Sequence, residues 1–117
     1  MRQSSAPHNE RFRAASELVW QERVRARHKI DFSRMRLNDV QVLHLPGELC
    51  VEYQLYAQQQ QPENFVCMAA YADCGPVYVP PDIAYEQGGY ESGDWFYVDP
   101  CEETITTAMR DLLQSKS

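Results

Sequence analysis

The sequence predicts an α/β fold: a βαβ-containing fragment of a larger layered α/β domain, with N-terminal and C-terminal helices flanking it. Three observations predict it. A Val- and Leu-rich run at 40–45 reaches a Pro46-Gly47 break. The segment after the break places Leu49, Tyr53 and Tyr56 on one helical face, at i, i+4 and i+7. A second apolar run at 65–71 follows a glutamine tract at 58–61. Strand, break, helix and strand is the order of a βαβ unit, whose crossover is expected to be right-handed. Ligands of such units gather beyond the carboxyl ends of the parallel strands. Glu48 leaves one such end, and the segment 73–78 leaves the other.

Taken in order, residues 1–8 read as a flexible tail broken by Ser4, Ser5 and Pro7, and residues 9–117 as the partial α/β domain. A helix is expected over 9–28, with Phe12, Ala15 and Val19 on one face and Trp20 and Val24 beside it. Asn9 suits its N-cap, and Arg25, Arg27, His28 and Lys29 crowd its last turn, where cations complement the macrodipole. Met35-Arg36-Leu37 begins an extended segment, and the strand at 40–45 follows. The helix from about 47 to 60 carries Val51 and Leu55 away from Leu49 and Tyr53, so burial on two sides is expected. The run at 65–71 does not alternate, which predicts a central strand covered on both faces. Residues 72–93 carry loop chemistry in Gly75-Pro76, Pro80-Pro81 and Gly88-Gly89. Long ordered loops are disproportionately functional. Asp99 is expected to cap a final helix with Pro100 at its first position. Ile105, Ala108, Met109 and Leu112 would then face inward. Two strands with three helices close no sheet, so the chain reads as the end of a larger domain.

The 117 residues allow one core, and 44% hydrophobic content with seven Tyr argues against disorder. No run approaches the roughly 20 apolar residues of a membrane span. Residues 1–10 lack the hydrophobic centre of a signal peptide, so the chain as written reads as cytoplasmic. Cysteines 50, 67, 74 and 101 form no C-x-x-C pair and read as buried free thiols. The net charge of −6 is uneven: residues 1–36 hold nine Lys/Arg against four acids, and the remainder two against thirteen. This basic stretch reads as a solvated face or one that meets acidic protein surface, with no nucleic acid as partner.

Glu48, placed at a helix N-terminus, would be held ionised by the unpaired N–H groups there, as a metal ligand must be. The same position also suits a carboxylate that only favours the helix dipole. Tyr78 reads either as a packing aromatic or as a ligand, and His44 as a hydrogen-bonded strand histidine or a ligand. Gly88-Gly89 lacks the spacing of a phosphate-binding fingerprint.

Residues 28–113 carry Leu45-Pro46-Gly47-Glu48, then Tyr78-Val79-Pro80-Pro81, then Ala84-Tyr85-Glu86-Gln87-Gly88-Gly89-Tyr90-Glu91. In order and spacing this stretch resembles the C-terminal part of the catalytic domain of neutral/alkaline non-lysosomal ceramidases, especially their divergent bacterial relatives. The family's Pro-Gly-Glu motif supplies a zinc-binding glutamate, and a Tyr-Val/Ile-Thr-Thr motif a zinc-binding tyrosine. The resemblance therefore implies Glu48 and Tyr78 as metal ligands. It implies His44, Tyr85, Tyr90 and Glu91 as surrounding or substrate-loop residues. Where the family has Phe-Thr-Thr and Gly-Arg-Arg, this chain has Leu49-Cys50-Val51 and Tyr53-Gln54-Leu55, and Pro80-Pro81 replaces Thr-Thr. The family's zinc histidines and catalytic serine lie in an upstream region, which His8, His28 and His44 do not match. Complete members, often secreted or membrane-associated, are zinc amidases that release the acyl group of a ceramide-like lipid. The resemblance implies a partial domain with no catalytic residue of its own, inactive alone and completed by an N-terminal polypeptide. The alternative is a small interaction module that pairs with another chain through its basic helix and open sheet edge.

Overall fold

The computed structural model describes residues 8–72, 76–93 and 98–115. The expected tail, apart from His8, lies outside these residues, as do Asp73, Cys74 and the aromatic run at 95–97. Helix α1 (His8–Arg25) starts one residue before Asn9, so Asn9 sits in its first turn and does not cap it from outside. It ends at Arg25, short of His28, because Arg27 turns left-handed at φ 52°. The His28 N–H then reaches the Arg23 carbonyl (3.0 Å) and the Arg27 N–H that of Val24 (2.9 Å), a Schellman closure. No residue of α1 is fully buried. Among the described residues, no helix is long and apolar enough to cross a membrane.

The α/β reading holds. Strands β1 (Ser33–Leu37), β2 (Val40–Pro46) and β4 (Phe65–Ala72) form a sheet in the order β1-β2-β4. Asn38, at φ 57°, turns the chain between β1 and β2, which pair antiparallel. Asparagine tolerates that conformation better than most residues. β2 and β4 pair parallel, and the helix between them is α2 (Val51–Gln60). On one face Leu43, Leu45 and Val66 are buried beneath Tyr53 and Ala57 of α2 and Ile105, Met109 and Leu113 of α5 (Glu102–Gln114). Met68, Ala108 and Leu112 are half-buried at the border of this core. The other sheet face exposes Met35, Leu37 and Phe65.

Four expectations are corrected. First, β4 is an edge strand of its sheet, not a central one: β2 holds the middle, and Phe65 is 61% exposed. A side chain takes the place of a further strand. The Gln54 amide of α2 donates to the Val66 carbonyl (2.8 Å) and accepts from the Met68 N–H (2.6 Å). Second, α2 begins at Val51, and Glu48 belongs to a short strand, β3 (Glu48–Leu49). Gly47 at φ 79° swings the chain out of β2, and the Glu48 N–H then bonds the Val77 carbonyl. Third, 72–93 is not bare loop: it holds β5 (Tyr78–Val79), α3 (Asp82–Gln87) and α4 (Tyr90–Gly93). Fourth, α5 starts at Glu102 with Cys101 before it, and Asp99 does not cap it. The capping carboxylate comes from elsewhere. Asp82 accepts from the Glu102 N–H (3.2 Å) while Glu102 accepts from the Asp82 N–H (2.7 Å), so α3 and α5 start by capping each other. Cys50, Cys67 and Cys101 are free and only half-buried.

Candidate functional site

The site is built where β2 and β4 end. β3 and β5 pair in parallel with Glu48 opposite Tyr78 and Leu49 opposite Val79. Leu49 and Val79 point into the core, so Glu48 and Tyr78 share the other face. Gly47 makes this possible. Any Cβ at that position would collide with the Pro76 carbonyl, and the close approach of the two segments depends on its absence.

Tyrosines surround the pair. Tyr71, the last but one residue of β4, donates its N–H to the carbonyl of Gly47 (2.8 Å), the residue before Glu48. Tyr90 of α4 meets Tyr78 edge to face, with ring centroids 5.7 Å apart and planes at 76°. A cleft of about 500 Å³ opens beside them, lined by Glu48, Cys50, Glu52, Tyr78, Ile83 and Glu91 among others.

The cleft is electronegative. The Tyr71 phenol is pushed up by its hydrogen bond to Glu48, by burial and by the charge of Glu48. Burial, Glu48, Tyr90 and Glu91 push the Tyr78 phenol up. Burial raises the Cys50 thiol, assisted by Glu52, Glu91 and Glu48. Each of these shifts favours the protonated form.

Of the other predicted residues, Tyr90 and Glu91 join the cluster, and His44 and Tyr85 do not. His44 lies on the exposed side of β2, its Nδ1 3.4 Å from the Ser33 hydroxyl. Tyr85 donates its hydroxyl to the Val98 carbonyl (2.7 Å), which ties α3 to the segment before α5. Sequence reasoning missed Tyr71 and Glu52. The position of Tyr71 at the carboxyl end of a parallel strand was the available signal.

Zinc takes four N, S or O ligands in most sites. A carboxylate and a phenol at neighbouring register positions fit as two of them. Among the described residues, no three His, Cys, Asp or Glu converge as a metal shell. No family model, curated protein or solved structure matches the chain.

Proposed function

We propose that this chain supplies half of the metal site of a ceramidase-like zinc amidase, and that it is inactive until a second polypeptide supplies the rest. The observation that carries this reading is the β3–β5 register, which makes Glu48 and Tyr78 direct neighbours on one face. Adjacent strands lie about 4.8 Å apart, and zinc–oxygen bonds are about 2.0–2.2 Å long, so one ion suits both donors. Glu48 would bind as carboxylate and Tyr78 as phenolate, the ion's charge offsetting surroundings that otherwise keep the phenol protonated. Bound zinc supplies an activated water and polarises the scissile amide carbonyl. Tyr90 braces Tyr78 from the side. The remaining ligands and the grip on a ceramide-like lipid belong to the complementing polypeptide.

Calorimetric titration of the purified chain with zinc tests the reading. Weak binding is expected, abolished in Glu48→Gln and weakened about tenfold or more in Tyr78→Phe. The chain alone should not hydrolyse an N-acyl-sphingosine. Zinc binding that survives both substitutions would refute the assignment.

A second reading, a non-enzymatic interaction module, draws on α1. It leaves Phe12, Leu18, Val19 and Val24 more than half exposed. Exposed apolar surface of this kind marks interaction sites when it is contiguous. Its open-edge component is weakened by the Gln54 amide, which already occupies part of the β4 edge. Sedimentation separates the readings: association with an unrelated partner through α1, without any metal dependence, favours the module.

A further inference from the structure

The Gln54 side chain finishes the edge of β4 in a pattern that has a direction. Its amide donates to the Val66 carbonyl (2.8 Å) and accepts from the Met68 N–H (2.6 Å), so one group serves both residues that flank Cys67. In a parallel ladder a single residue of the neighbouring strand does the same, giving its N–H to one flanking residue and its carbonyl to the other. In an antiparallel ladder a single residue exchanges both bonds with the one residue opposite it. The Gln54 amide therefore stands where one residue of a parallel strand would lie, opposite Cys67.

The next rung is open. Phe65 gives its N–H to the Asp39 carbonyl, on the β2 side, and backbone groups alternate sides along a strand. The Met68 carbonyl and the Ala70 N–H consequently point away from β2. They flank Ala69, which still pairs with His44. Among the described residues, no hydrogen bond reaches either group. The flank of α2 above this edge is also uncovered. Val51, Gln54, Leu55 and Gln58 share one helical stripe, at i, i+3, i+4 and i+7, and Val51 and Leu55 are 64% and 51% exposed.

Symmetry selects the occupant. A second copy that met β4 with its own β4 about a closed two-fold would pair antiparallel. A two-fold that kept the strands parallel would set equal residues side by side and miss the one-residue offset of a parallel ladder. Copies repeated side by side would bring β1, which is antiparallel to β2, against β4, again antiparallel, and would grow into an open filament.

We propose that β4 is completed by an extended segment of a different polypeptide, added as a parallel strand that starts beside Gln54 and runs toward Glu48. Main-chain bonds to Met68 and Ala70 hold it, and apolar side chains aligned with those two residues turn toward the α2 side of the sheet. Its carboxyl end arrives at the rim that carries Glu48 and Tyr78. Delivery of further metal ligands there rests on the function proposed above; the strand site itself does not.

Titration of the metal-free chain with the synthetic peptide acetyl-Val-Thr-Val-Thr-Val-amide, followed by amide NMR, tests this. At saturation, exchange of the Ala70 N–H should slow about tenfold or more, while the Met68 N–H, already held by Gln54, should change little. A nitroxide at the carboxyl end of the peptide should broaden the Tyr71 amide more than the Val66 amide. N-methylation of the threonine nitrogens, which removes the donor to the Met68 carbonyl, should abolish the protection. An Ala70 amide that stays unprotected at the highest soluble peptide concentration overturns the proposal, and so does broadening in the reverse order. A dimer by sedimentation equilibrium whose Ala70 amide is protected without peptide also overturns it, because β4 would then pair with its own copy. Parallel docking in a chain that binds no zinc upholds the strand site and rejects only the metal reading.

Discussion

Gln54→Leu should destabilise the fold by about 2 kcal/mol, although it trades a polar side chain for an apolar one of similar size. The Gln54 amide makes two hydrogen bonds to the edge of β4, at 2.8 Å to the Val66 carbonyl and 2.6 Å from the Met68 N–H. Each is worth about 0.5–1.5 kcal/mol net, and a backbone group left unpaired in partial burial costs about 1–3 kcal/mol. Leucine recovers part of this through its own apolar contact, which sets the net near 2 kcal/mol. At about 2.1 cal/mol/K per residue of unfolding entropy, that loss lowers the melting temperature by about 8 °C. Urea unfolding and thermal melts measure it, with Gln58→Leu as control, since Gln58 lies exposed on the same helix. The control should stay within about 0.5 kcal/mol of native. Gln54→Leu should also self-associate at high concentration, because it bares a strand edge. Equal stability of the two variants would mean that the amide bridge contributes nothing and the β4 edge is held by packing alone.

Other outcomes follow from the same structure. Val66→Asp should abolish folding by circular dichroism, because an unpaired charge at a fully buried position costs several kcal/mol, comparable with the whole stability of a small domain. Gly47→Ala should break the β3–β5 pairing and lose zinc binding with it, since the added methyl meets the Pro76 carbonyl at a positive φ; amide exchange at Glu48 reports the loss. Asp82→Ala should cost about 1 kcal/mol through lost capping of α5. Stability should fall as pH rises above about 10, the ordinary tyrosine value. Burial, with nearby Cys101, Glu102 and Asp82, holds the Tyr53 phenol protonated in the folded chain, while the unfolded chain ionises it. Tyr53→Phe should flatten that alkaline slope while losing the bond to the Pro80 carbonyl.

The βαβ unit was legible because its apolar runs and helical spacing are local signals. β2 and β4 lie where their apolar runs put them, and the Ile105, Met109 stripe of α5 faces the core; α2 starts about four residues late and leaves Val51 and Leu55 exposed where burial on two sides was expected. The errors at Glu48, β4 and α5 share one physical cause, a partner distant in sequence, whereas α1 ends early for a local one, the left-handed turn at Arg27. Glu48 reads as helical until Gly47 and the segment at 78–79, thirty residues on, draw it into a strand. The apolar run of β4 reads as central until Gln54 stands in for a neighbouring strand. Asp99 looks like a cap until Asp82 reaches α5 first. For the site, sequence offered Glu48, Tyr78, Tyr90 and Glu91 as candidates, and the structure gathers them at one cleft. Tyr85 sits in the same motif as Tyr90 and His44 just before that of Glu48, but on other faces, which strand alternation and helix phase decide and motif spacing does not. Tyr71 belongs to no motif, and only its backbone conformation sets it apart.

The central claim is that Glu48 and Tyr78 hold one metal ion between them. Anomalous diffraction at the zinc edge, from crystals of the chain grown with zinc, measures this directly. The claim requires one ordered peak about 2.0–2.2 Å from both a Glu48 carboxylate oxygen and the Tyr78 hydroxyl, with water in the remaining positions. A peak on His44 or on surface carboxylates with none at this pair, or side-chain oxygens of Glu48 and Tyr78 too far apart to share an ion, would contradict it.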